Sequence, residues 1–261
     1  MSYETITVAV DDRGVATLTL NLADQHNALA PQMITDLHDA ASMLAADDAV
    51  RVVVLTGAGK SFCAGGDLGW MRQQFTASRE ERIAEARKLA DMLGALNELP
   101  KPVIGRINGQ AYGGGMGMIS ICDVAIGASD AKFGFTEARL GLIPATISPY
   151  VVARMGEGMA RRVFMSARLF GAEEARDLGL LARVVPIEDL DTAIEAEVKP
   201  YLSCAPAAVA ASKSLIRALG APLDQAVMER TAAALADAWE TPEGQEGVQA
   251  FFDKQKPSWI S

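Results

Sequence analysis

Histidine and cysteine are scarce: the 261 residues hold two of the first and three of the second. Cys63, Cys122 and Cys204 are odd in number, lie far apart and form no Cys-x-x-Cys pair. That excludes a disulfide framework and a thiolate-based zinc set, and leaves reduced structural thiols. His26 and His38 have no second metal ligand at useful spacing, so no metal site is expected. No serine sits in a Gly-x-Ser-x-Gly elbow, and a Ser-His-Asp triad has no support. His38, in a segment rich in Ala and Asp, reads as a partly solvated structural residue; His26, in a loop, is a minor candidate to approach a ligand. Aromatics are only 6%, which argues against a stacking platform for bases. Positive charge is also short, with 24 Lys and Arg against 33 Asp and Glu, a net charge of −9. An extended nucleic-acid partner is therefore excluded, because counterion release needs clustered cations. A small anionic ligand, held by a few local donors, is compatible with this charge. No apolar run reaches membrane-spanning length, and nothing near Met1 reads as a signal peptide; the expected location is cytoplasmic.

Half of the chain is hydrophobic and 22% is charged, enough to bury a core in one α/β domain with or without an appendage. Alternation over residues 5–10 and 15–20, with Asp11-Asp12-Arg13-Gly14 between, predicts a β-hairpin. Helical spacing predicts a helix over 31–46 opened by Pro31, and a polar helix over 78–99. Short apolar strands are expected at 52–55, 102–107 and 124–126, with Lys132-Phe133-Gly134 following, and a loop over 61–67. From about 147 onward helical patterns dominate, with one strand near 183–185. Strands alternate with helices early and helices fill the end, which predicts an α/β core over 1–200 and a helical region over 201–261. That region is expected to pack on the core or on a neighbour.

Two nucleotide motifs fail. Gly57-Ala58-Gly59-Lys60-Ser61 resembles the end of a P-loop, but the required earlier glycine position holds Val54. Gly113-Gly114-Gly115-Met116-Gly117 fits no register of Gly-x-Gly-x-x-Gly, since Met118 and Ser120 stand where glycine is needed. What survives is a pair of glycine turns, Ala64-Gly65-Gly66-Asp67 and Gly113-Gly114-Gly115, each after a short apolar strand. Either alone reads as tight turn packing. Together, their exposed amides could aim at one oxygen, helped by a helix N-terminus.

The order of motifs resembles the enoyl-CoA hydratase/isomerase (crotonase) family. It is carried by Asn27-Ala28-Leu29, Val54-Leu55-Thr56-Gly57, Phe62-Cys63-Ala64-Gly65-Gly66-Asp67, Lys101-Pro102-Val103-Ile104, Gly109 with the glycine triplet, Cys122 to Ala128, Phe133-Gly134 with Glu137, Leu140 to Pro144, and Glu174-Ala175 with Gly179-Leu180. The resemblance spans nearly the whole chain. It implies a spiral of repeated ββα units, C-terminal helices that trimerise, and a homotrimer or homohexamer. It also implies an acyl-CoA thioester substrate and no cofactor, coenzyme A being part of the substrate. By motif, the Gly66 and Gly114 amides look like the oxyanion donors. Ala28, Ala64, Asp67 and Leu68 would line the CoA-side pocket.

The well-known hydratases of that family use two glutamates. The second is matched by Glu137; at the position of the first this chain has Gly117. A lone Glu137 fits addition of water to a 2-enoyl-CoA, the leading reading. It also fits a 3,2-enoyl-CoA isomerase, or a catalytically weak acyl-CoA-binding protein. Met116-Gly117-Met118, the stretch 136–150 and Val151-Val152-Ala153-Arg154 resemble a bacterial branch usually assigned to 3-methylglutaconyl-CoA or related hydration. Gly117 is expected to open room for a 3-methyl substituent. Arg72, Arg139 and Arg154 are the candidates to hold a substrate carboxylate.

Overall fold

Alternating β-branched and polar residues build the first hairpin, β1 (Ile6–Val10) antiparallel to β2 (Val15–Leu20). Pro31, free of a backbone donor, starts α1 (Pro31–Ala46), whose Met33, Ile34, Leu37, Ala41 and Leu44 form its buried stripe. The computed structural model describes residues 3–260.

From here each turn of chain makes two strands. β3 (Val52–Gly57) is followed by β4 (Ser61–Cys63), then by α2 (Leu68–Thr76) and α3 (Arg79–Asn97). β5 (Val103–Ile107) is followed by β6 (Gln110–Tyr112) and α4 (Gly114–Ser120). β7 (Val124–Ala128) is followed by β8 (Lys132–Gly134), α5 (Ser148–Met155) and α6 (Glu157–Phe164). The last strands are β9 (Phe170–Gly171), leading into α7 (Ala172–Asp177), and β10 (Arg183–Val185). First strands enter a six-stranded sheet, β1-β2-β3-β5-β7-β10, and second strands a four-stranded sheet, β4-β6-β8-β9. This is the ββα spiral. It is parallel except at the β1–β2 and β8–β9 pairs.

β3 is buried along its whole length, as a strand covered on both faces must be. Its Val53 and Leu55 join the main core, with α1 and α3 residues such as Leu37 and Leu93. Val52 and Val54 face a smaller cluster with Ile194 and Val198 of α8 (Leu190–Leu202). Two ends need side-chain help. Ser78 and Glu81 form a reciprocal capping box at the start of α3. Lys101 Nζ donates to the carbonyls of Leu44, at 2.6 Å, and of Asp47, closing the C-terminus of α1.

The chain ends in α9 (Pro206–Leu219), α10 (Gln225–Glu240) and α11 (Pro242–Phe252). α10 lies along α3 and α11 packs against residues 137–140. α10 and α11 therefore cover their own chain. Four elements differ from the sequence expectation: β4 replaces loop, β6 follows β5 where no strand is expected, β9 lies within the helical stretch, and α2 precedes α3. The three strands have two or three residues each, too few for alternation to register. α2 has only Gln74 buried and so lacks an apolar stripe.

Candidate active site

β4, β6 and β8 are neighbouring parallel strands, and each delivers one part of the site from its C-terminal end. Cys63 leads to Ala64-Gly65-Gly66, Tyr112 to Gly113-Gly114, and Gly134 to Thr136-Glu137. The Gly113 amide donates to the Gly134 carbonyl at 3.1 Å, tying the second part to the third. The first part is braced from outside: Leu29 N donates to Gly65 O at 2.7 Å, and Ala64 N to His26 O at 3.0 Å. Behind that brace stands fully buried Asn27. Its Oδ1 accepts from Leu22 N at 3.0 Å, and its Nδ2 donates to the carbonyls of Ala58 and Ser61, each at 2.9 Å.

Glycine is required where these strand ends converge. Gly113 has φ of +47°, and a Cβ there would meet Glu137 Oε1 at 3.2 Å. A Cβ on Gly115 would stand 2.3 Å from the Cys63 carbonyl oxygen, so only glycine lets α4 lie against the end of β4. Gly65 and Gly114 touch: the nitrogen of Gly114 is 3.7 Å from the Cβ position of Gly65. The N–H groups of Gly66 and Gly114 both lack an acceptor among the described residues. Two free donors thus stand together at one wall.

That wall belongs to a cavity of about 440 Å³, within the usual range for a small-molecule site. Leu29, Ala64, Gly66, Leu68, Gly114, Glu137 and Ile147 are among its lining residues, and Leu235, Trp239 and Phe251 close it from α10 and α11. Glu137 opens a 3-10 turn, Glu137–Leu140. Its Oε2 has no accessible surface and no hydrogen-bond partner among the described residues. Burial pushes its pKa up to about 7, against the lowering effect of a hydrogen bond from its own backbone N–H. A carboxyl poised there can both take and give a proton near neutral pH.

Of the expected site residues, Glu137, Gly66, Gly114, Ala64 and Leu68 come together around this cavity. Ala28 and Asp67 do not line it: Ala28 is buried in the brace, and the Asp67 side chain accepts from Trp70 N at 2.9 Å as the N-cap of α2. Gly117 is a correction. A Cβ there would meet Ile147 Cγ2 at 2.5 Å and Leu93 Cδ1 at 3.5 Å, so the space beside it is filled by Ile147 and leaves no room for a substituent. Of the three arginines only Arg139 lines the cavity, and it pairs with no carboxylate among the described residues. Arg72 lies 4.7 Å from the Phe252 ring centre, and Arg154 Nε donates to Ser120 O at 3.2 Å. His26 Nδ1 pairs with Ser61 Oγ at 2.9 Å, away from the lining, and exposed His38 lies 3.7 Å from Asp39. Trp239 and Thr146 are lining residues that the sequence did not signal; no local pattern marks a side chain brought in by long-range packing. Among the described residues no group of three or more His, Cys, Asp or Glu is placed to hold a metal ion.

The family model described as enoyl-CoA hydratase/isomerase matches residues 11–261. The chain is similar to the crotonyl-CoA hydratase of Syntrophomonas wolfei, at 33% identity over 100% of both chains. Among solved structures it resembles an enoyl-CoA hydratase from Shewanella pealeana, with a TM-score of 0.80 and 35% identity over 98% of this chain and 96% of that one. It also resembles an enoyl-CoA hydratase from Mycobacterium avium, with a TM-score of 0.84 and 31% identity over 98% of each. The match is in sequence and in fold, it runs the length of the chain, and it includes the segments that meet at the cavity: the chain belongs to the enoyl-CoA hydratase/isomerase family.

Proposed function

We propose that the protein is an enoyl-CoA hydratase that works with a single carboxylate and without a metal or redox cofactor. The observation that carries this reading is a buried glutamate with a pKa of about 7, beside two amides that lack acceptors. The thioester oxygen sits between the Gly66 and Gly114 amides. As water adds to C3, Glu137 takes one of its protons, the C2=C3 π pair moves toward the thioester, and the oxygen becomes an enolate. The amides stabilise that charge without reorganisation; one such donor is typically worth about 2.7–4 kcal/mol. Glu137 then gives the proton to C2 and the carbonyl re-forms.

A lone carboxylate also suits the 3,2-enoyl-CoA isomerase reading, in which Glu137 moves a proton between C2 and C4. Incubation with crotonyl-CoA, 3-methylglutaconyl-CoA and a 3-enoyl-CoA separates the two. Gain of one water on a 2-enoyl substrate supports the hydratase. Conjugation at unchanged mass from the 3-enoyl substrate supports the isomerase, and no turnover on any of them contradicts both and favours a binding role.

For the acyl group, the resemblance over residues 136–154 and the unpaired Arg139 at the cavity favour a branched, carboxylated substrate such as 3-methylglutaconyl-CoA. Replacing Arg139 with alanine should raise KM for the carboxylated thioester by about 10- to 150-fold, since hydrogen bonds to charged groups contribute about 1.5–3 kcal/mol. KM for crotonyl-CoA should not move. Equal KM changes for both would show that Arg139 does not read the acyl carboxylate.

Self-association into a trimer or hexamer fits the outer face of α9, where Leu215, Ile216 and Leu219 are 61%, 71% and 79% exposed. Light scattering on the purified protein should give the mass of three or six chains; a monomer contradicts the assembly.

A further inference from the structure

Four side-chain polar atoms among the described residues are sealed from solvent without a hydrogen-bond partner: Tyr3 Oη, Arg217 Nε, Glu137 Oε2 and Thr146 Oγ1. The last two belong to residues lining the same cavity; the first two do not. A sealed hydroxyl with no partner costs about 1–3 kcal/mol, and such groups in native proteins call for a specific explanation. Thr146 is 4% exposed, so bulk solvent does not supply one. Most of the lining around it is apolar: Leu89, Leu142, Pro144 and Ile147.

Two glycines locate these groups. Glu137 Oε1 lies 3.2 Å from the Cβ position of Gly113, the residue before α4, and Ile147 Cγ2 lies 2.5 Å from that of Gly117, within α4. Glu137 therefore stands over the turn that opens α4, and Ile147, with Thr146 next to it in the chain, over Gly117. The Thr146 segment takes up the side from which a residue at position 117 would otherwise project. A neutral hydroxyl there adds a hydrogen bond without adding a second charge beside Glu137.

We propose that Thr146 is the second polar group of the water site, orienting the molecule that adds to C3; this rests on the hydratase reading above. The water donates one O–H to Glu137 and the other to Thr146 Oγ1, which leaves a lone pair directed at C3. The C3–O bond forms as the C2=C3 π bond breaks. The proton taken by Glu137 goes on to C2, and the proton facing Thr146 stays on the new hydroxyl.

The test compares Thr146→Val, which keeps the shape and removes the hydroxyl, with Thr146→Ser, which keeps the hydroxyl. Two reactions are followed: hydration of crotonyl-CoA, and exchange of the α-proton of butyryl-CoA in D2O, which needs Glu137 and the two amides but no water addition. Thr146→Val should lower kcat for hydration about 10²-fold, the scale of a misplaced reactant. KM and the α-exchange rate should stay at wild-type values, Tm should not fall, and Thr146→Ser should recover most of kcat. Wild-type kcat in Thr146→Val would overturn the assignment. So would parallel loss of hydration, exchange and Tm, which marks a structural residue. A wild-type protein that exchanges the α-proton but hydrates no 2-enoyl thioester would overturn the hydratase reading itself, and the role of Thr146 with it.

Discussion

Glu137→Gln is expected to lower kcat/KM for hydration by about 10²–10⁴-fold, the range for a positioned acid-base group, while making the folded protein more stable above neutral pH. Both effects come from one cause. One oxygen of the carboxyl, Oε2, is buried without a partner, and the folded pKa of about 7 lies above the ordinary 4.5. The folded protein therefore holds this proton more tightly than the unfolded chain does. The stabilising contribution is fully present below about pH 4.5 and is lost as pH rises through 7. Above that, holding the charged form in place costs on the order of 3 kcal/mol, a cost that glutamine avoids except for its own unpaired amide. Thermal unfolding from pH 5 to 8 should show the variant gaining on the wild type as pH rises. Wild-type kcat/KM should carry an acidic limb with a midpoint near 7, because the carboxylate form accepts the proton from water. A variant that loses activity yet shows no pH-dependent gain in Tm would mean that Glu137 is not strained by burial.

Gly117→Glu has the second large effect, and its direction is opposite to what sequence comparison suggests. Placing a glutamate where other hydratases have one should not improve the enzyme. Its Cβ would meet Ile147 Cγ2 at 2.5 Å and Ile147 Cβ at 3.0 Å, in a helix buried from Gly115 to Ser120. Overpacking of this kind costs about 1–3 kcal/mol, and an unpaired buried carboxylate adds several more. The expected outcome is a loss of about 4 kcal/mol or more in urea unfolding, with no rise in kcat. Adding Ile147→Gly removes the clashing methyl and should return part of the stability. A stable, more active Gly117→Glu would show that Ile147 yields easily and that the packing argument is wrong.

The contrast at Gly117 shows what the sequence could and could not convey. That the glutamate is missing is a local fact, read at one position. What fills its space is Ile147, brought in by the tertiary fold, and no pattern around Gly117 names it. The same division runs through the chain. The hairpin over β1 and β2, α1 with its Pro31 start, and the polar helix α3 were legible because their patterns lie in contiguous residues. β4, β6 and β9 were not, at two or three residues each. Two of those strands carry the glycine turns, so the sequence pointed to both turns without showing the parallel pairing that places them side by side. The spiral itself left no internal sequence repeat, because each turn is packed with different side chains, such as Leu55, Gly105 and Ala125, which lie side by side in successive strands of the large sheet. Asp67 illustrates the converse: a residue carried over by motif as a pocket wall is occupied by its duty as a helix cap. Thr146 lies in the stretch 136–150 that carries part of the resemblance, yet only the cavity reveals that its hydroxyl is unpartnered.

The most direct measurement is hydration of crotonyl-CoA in 18O-labelled water by the wild type and Glu137→Gln side by side, with product mass read for each. The wild type should incorporate one 18O and the variant essentially none, with both proteins folded. Undiminished labelling by Glu137→Gln would contradict it, because some other group would then be handling the proton.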